Sequence, residues 1–177
     1  MCQRVSECLV GRYPKAERFW DAGLNADGSR CLIFADCDEL FIWDVRRSRV
    51  EWVFEGPEAP EERRLRSYGY GLGKLLEPDD FITIREGPGA DRYRIFGKYG
   101  RGRTVDNRLG LKLEVAVSTS VVRVVRLADS VEVDALTHKP GARGWYCCDR
   151  AAASFSEDGS LFAVIAPYYV TFFSPTE

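Results

Sequence analysis

The segment DRYRIFGKYGRGRTVDNRLGLK, residues 91–112, sets seven Lys and Arg side chains against Asp91 and Asp106, a local charge of +5, with Tyr93, Phe96 and Tyr99 among them. Guanidinium and ammonium groups beside flat rings can hold a phosphate backbone and stack bases, or grip an acidic or phosphorylated peptide. The same pattern suits a solvated strand rim on which Arg stems cover apolar surface. Within it Tyr99, Arg101 and Arg103 occupy a Gly-rich loop. A second loop, KPGARGWY (139–146), adds Lys139, Arg143 and Trp145, residue types that often dominate interface energies. Trp145 has an alternative place as a plug at the centre of the fold. Tyr13 and Lys15, in RYPKA (12–16), are weaker members of the same set.

Candidates for catalysis are sparse. His138 is the single imidazole, and Cys147 and Cys148 follow it in sequence. A Cys-His nucleophile pair also needs a feature that lowers the thiol pKa, and none is indicated. Asp36, Asp38, Asp79 and Asp80 are oxygen ligands of the type calcium prefers, but they lack EF-hand spacing and turn chemistry accounts for them. There is no P-loop, no GxGxxG opening a helix and no GxSxG elbow. A carboxylate pair for a small hydrolase stays open, because distances across a fold are invisible in sequence. No cofactor or metal is implied.

The elements that must carry these loops are strands. Short runs of Val, Ile, Phe, Tyr and Trp recur between turn residues, and helical periodicity is almost absent. The runs also repeat. LNADGSRCLIFA (24–35) and FSEDGSLFAVIA (155–166) share an Asp-Gly-Ser turn, and Asp27 and Asp158 lie 131 positions apart, three periods of about 44. RVSECLVG (4–11) and RVEWVFEG (49–56) repeat at an offset of 45. Four units result, at about 17–56, 63–98, 103–138 and 150–174. The last lacks its fourth strand, and residues 3–11 supply one from the other end of the chain. Pairing them with 168–173 would remove an open edge.

ADGSRCLIFADCDELFIWDVRRSRVEWVFEG (26–56) resembles a WD40 repeat, with Trp43-Asp44 closing its third strand, and SFSEDGSLFAVIA (154–166) resembles the first half of another. The resemblance implies an all-β β-propeller of four blades, each of four antiparallel strands, with the N-terminal strand completing the last blade. Structural roles follow: Asp27-Gly28 and Asp158-Gly159 form turns, Trp43 lies between blades, and Asp44 accepts hydrogen bonds in the turn after it. No Gly-His dipeptide is present, so the family's His-containing network cannot repeat around the ring. Four blades closing alone, or two chains pairing into a larger ring, both stay open.

A chain of 177 residues suits one domain, and a net charge of −2 argues against an overall polyanion trap. No apolar run reaches the roughly 18 residues of a membrane span, and MCQRVSECLV lacks a signal's apolar stretch. The expectation is a cytoplasmic monomer or homodimer with six reduced cysteines. Its expected work is non-catalytic: a protein-interaction or scaffold module binding an acidic or phosphorylated partner through one propeller face. RNA or single-stranded nucleic-acid binding through 92–112 is the alternative, and a hydrolase the third.

Overall fold

Asp-Gly and Pro-Gly turns break the apolar runs into short strands, two to eight residues long among the described residues, whose side chains alternate between two faces. The computed structural model of the chain describes residues 2–12, 17–36, 39–54, 65, 76–115, 121–137 and 151–175. Among them, β2 (Phe19–Leu24), β3 (Arg30–Ala35), β4 (Leu40–Asp44), β5 (Arg49–Val53), β6 (Phe81–Ile84) and β7 (Asp91–Gly97) form sheet I, in the order β5-β4-β3-β2-β7-β6. Sheet II is β11-β10-β9-β8, built from β8 (Val105–Asp106), β9 (Leu111–Val115), β10 (Val121–Arg126) and β11 (Glu132–Thr137). Sheet III is β1-β14-β13-β12, from β1 (Cys2–Leu9), β12 (Ala152–Phe155), β13 (Phe162–Ala166) and β14 (Tyr169–Pro175). Every pairing is antiparallel.

Sheet III lies between the other two. In FAVIA of β13, Ala163 and Ile165 join Phe19, Phe41, Trp43 and Phe96 of sheet I in one core, while Phe162 and Val164 join Leu113, Val122 and Val124 of sheet II in another. Both faces of the strand are dry, which is why it reads as a continuous apolar run instead of an alternating one. A third core of Leu32, Ile42, Ile82, Tyr93 and Ile95 covers the far face of sheet I.

The first strand binds all three sheets. β1 pairs with β14 from Leu9↔Tyr169 to Cys2↔Pro175, with an irregularity between Arg4 and Ser6. Trp43 of sheet I donates its indole N–H to Ser6 Oγ at 3.1 Å, and Ser6 Oγ lies 2.8 Å from Ser48 Oγ. The Cys2 backbone N–H donates to Asp134 Oδ2 of sheet II at 2.6 Å. The expected partnership of the chain's two ends is therefore present.

The second repeat differs from expectation. Its described strands, β6 and β7, form no separate sheet, because β7 pairs with the free edge of β2 from Asp21↔Gly97 to Leu24↔Arg94. Gly23 permits this approach: a Cβ there would sit 2.6 Å from Ile95 Cδ1 and 3.0 Å from Tyr93 Cβ. The repeat's expected first two strands, near 64–70 and 72–76, fall almost wholly outside the described residues.

The two Asp-Gly-Ser turns dock against each other. Asp158 N–H donates to the Ala26 carbonyl at 3.1 Å and Ser160 Oγ to the Asp27 carbonyl at 3.2 Å. Gly28 and Gly159 have φ of +69° and +71°, a backbone state that costs other residues energy. Burial raises the Asp27 and Asp158 carboxyl pKa values, but hydrogen bonds from Ser29, and from Ser160 and Ser156, outweigh it and hold both below the ordinary range.

Two expectations follow. Ser6→Ala leaves the buried Trp43 donor without its acceptor and lowers stability by about 1–3 kcal/mol in urea unfolding, whereas Ser48→Ala costs less. A carboxyl depressed in the folded state contributes stability that is present above its unfolded pKa, about 3.9, and lost as pH falls through the folded value. Asp27→Asn and Asp158→Asn therefore flatten the fall in stability below about pH 4.

Candidate interaction surface

Pleating sorts the basic residues of β7. Tyr93 and Ile95 point into the third core, so Arg92 and Arg94 project from the opposite face. There they meet Phe81, which lies across from Arg94 in the β6–β7 ladder. The guanidinium carbons of Arg92 and Arg94 stand 3.6 and 4.3 Å from the centroid of that ring, and their stems help leave Phe81 only 5% exposed. The two charges are thus within about 8 Å of each other, a repulsion of about 2 kcal/mol at an effective dielectric near 20. Glu157 answers one of them: its Oε1 accepts from Arg94 Nε at 2.5 Å. Among the described residues Arg92 has no carboxylate partner for its guanidinium.

Arg103 and Arg108 converge on the same turn. Arg103 Nη1 donates to the Ser156 and Glu157 carbonyls at 3.0 and 2.8 Å, and Arg108 Nη2 donates to the Glu157 carbonyl. Both also face Asp106, whose carboxylate is fully buried. Its Oδ1 accepts the N–H groups of Arg108 and Leu109 at 2.9 and 3.1 Å. Its Oδ2 lies 3.1 Å from Arg103 Nη2 as an ion pair without an aligned hydrogen bond. A Cβ on Gly159 would come within 2.5 Å of that oxygen, so the turn requires glycine for space as well as for φ.

The local excess of +5 is accordingly reduced in space. Carboxylates from elsewhere in the chain meet it: Glu157 on Arg94, Asp80 on Arg101 at 3.7 Å, and Glu114 on Lys112 at 2.9 Å.

The expected contact residues separate. At the end of the sheets where β1 leads to β2 and β13 turns to β14, Lys98 Nζ sits 4.2 Å over the Trp20 ring, and the N–H groups of Tyr99 and Gly100 donate to buried Asp21 at 3.0 and 3.2 Å. Arg101 projects nearby with its side chain 92% exposed. Arg103 instead reaches the Asp-Gly-Ser turns at the opposite end. Tyr13, Lys15, Lys139, Arg143 and Trp145 lie outside the described residues, as do His138, Cys147 and Cys148. Of the residues expected to be structural, Trp43 is buried and Asp44 Oδ1 accepts Arg47 N–H at 2.8 Å. Arg92, Arg94, Phe81 and Glu157 were not singled out by sequence; the signal for the first two was Arg at i and i+2 within an alternating strand.

Cys2, Cys8 and Cys31 are free thiols. Burial, then Asp134, pushes Cys2 up to about 11, and burial, then Cys8, pushes Cys31 well above its usual value, so neither is an activated nucleophile. No cluster of three His, Cys, Asp or Glu suited to a metal occurs among the described residues, and no helix among them is long and apolar enough to cross a membrane.

No protein-family profile matches the chain, and no curated protein does. Solved structures similar to it include the crystal structure of Chaetomium thermophilum Raptor, with 9% sequence identity and a TM-score of 0.33. The superposition covers 85% of this chain, which spans 15% of that one's length.

Arg103→Ala leaves Asp106 Oδ2 with only the more distant Arg108 guanidinium, at 3.7 Å, and costs about 3 kcal/mol in urea unfolding. Arg101→Ala, solvated and loosely paired, changes stability by less than about 0.5 kcal/mol.

Proposed function

We propose that the chain is a non-catalytic interaction module that binds an acidic or phosphorylated group of a protein partner, on a propeller-type scaffold closed by β1. The observation that carries the reading is the Arg92–Arg94 pair on Phe81. Two like charges share one ring and, among the described residues, only one meets a carboxylate, so an incoming anion gains charge-assisted bonds and relieves a repulsion. Arg108, 62% exposed, stands at the Glu157 turn as a further donor. The scaffold reading is supported by the stacking of sheets I, III and II and by the mutual docking of two equivalent turns. Sheet I would then hold strands of the first two blades.

An array of phosphorylated and Glu-rich peptides, probed with the wild-type chain and variants, tests the function. Selective capture is expected, reduced tenfold or more by the Arg92→Ala/Arg108→Ala double variant and unchanged by Arg101→Ala. Loss confined to Arg101→Ala would move the surface to the Trp20–Tyr99 end, and capture of neither peptide class would overturn the function.

A further inference from the structure

We infer that the Arg92–Arg94–Phe81 cluster is a subsite for a phosphoryl dianion, and that Glu157 is the internal carboxylate that holds the site in the free protein. This rests on the interaction function proposed above and narrows its ligand to a phosphorylated side chain.

Geometry sets the ligand class. Arg94 is the more enclosed of the pair, its side chain 16% exposed, and its Nε already meets a carboxylate oxygen at 2.5 Å. Glu157 meets Arg94 through one oxygen, Oε1, and a carboxylate seated there leaves Arg92 unanswered. A phosphoryl group carries three terminal oxygens and nearly two charges at neutral pH, enough to engage both forks at once with bonds of about 2.8 Å. Guanidinium groups stacked on an aromatic face keep their in-plane N–H donors directed outward, which suits such bidentate contacts.

Surrounding acids define the selectivity. Asp91 is committed on both oxygens, to Asn25 Nδ2 at 3.1 Å and to the Arg92 N–H at 2.8 Å. Glu157 is the carboxylate that a ligand must displace from Arg94. Its backbone stays fixed by Arg103 and Arg108 through its carbonyl, so the side chain can swing out without disturbing the turn. A monoanionic carboxylate would only exchange like for like with Glu157, whereas a dianion gains the unanswered Arg92. Glu157 thereby acts as a threshold that admits phosphate and turns away ordinary acidic side chains.

The test is an NMR titration of the Arg Nε–Hε resonances of the full chain with inorganic phosphate at pH 7.5, and with acetate at matched ionic strength. Saturable shifts of Arg92 and Arg94 with phosphate, and none with acetate, are expected. Glu157→Gln should tighten phosphate binding at least fivefold and let acetate produce shifts. Arg92→Lys, which keeps the charge but loses the fork, should weaken phosphate at least fivefold. Equal responses to phosphate and acetate in the wild type, or a Glu157→Gln variant with unaltered phosphate affinity, would overturn the inference. Those results leave the interaction function standing if the peptide array still captures acidic peptides through Arg92 and Arg108. An array that captures nothing beside a normal phosphate titration would sink the function alone.

Discussion

One strand, β1, carries hydrogen bonds that tie the three sheets to one another. β1 supplies the outer ladder of sheet III through β14, the acceptor for the buried Trp43 indole of sheet I, and the amide that meets Asp134 of sheet II. Without it β14 would expose a row of unpaired backbone groups, and a donor in the driest part of the main core would lose its partner. Because both faces of β13 are apolar, sheet III is stable only while sheets I and II cover it. The first strand joins in that contact by hydrogen bonds, through Ser6 to sheet I and through the Cys2 amide to sheet II.

That arrangement explains how distant segments come to share a surface. Stacking sheet III on sheet I brings two turns 131 positions apart into backbone hydrogen bonding, and stacking sheet II beside them brings Asp106, Arg103 and Arg108 onto Glu157. Sheet I contributes Arg92, Arg94 and Phe81 to the same acidic turn. The proposed interaction surface follows from the sheet order: three sheets each offer a turn or strand end, and Glu157 is where they meet.

Much of the scaffold was legible because strand periodicity and turn chemistry are local. The runs LFIWD, RVEWV, VVRVVR, FAVIA and YVTFF, set off by Asp or Gly turns in the sequence, are all strands in the structure. The pairing of β1 with β14 was legible too, because a repeat that ends one strand short names its missing piece. What the sequence hid was the union of β7 with β2, which depends on the absence of a side chain at Gly23 and on backbone groups that carry no residue signature. The setting of the charges was hidden for a related reason. A stretch with an excess of +5 in sequence meets Glu157, Asp80 and Glu114 only after folding, and long-range ion pairs leave no period to detect. Arg103 shows this: set in a Gly-rich loop of the sequence, it donates in the structure to the Ser156 and Glu157 carbonyls of a neighbouring sheet.

The central claim is that β1 is an integral strand of sheet III, folded and unfolded together with it. Hydrogen exchange of the native protein, followed by mass spectrometry at peptide resolution, tests this most directly. Amides of residues 4–9 should exchange as slowly as those of 162–166 and 169–173, through one shared opening event. Fast exchange across 4–9 while 162–173 stays protected would contradict it, because the first strand would then be a detachable arm and the three-sheet stack would stand without it.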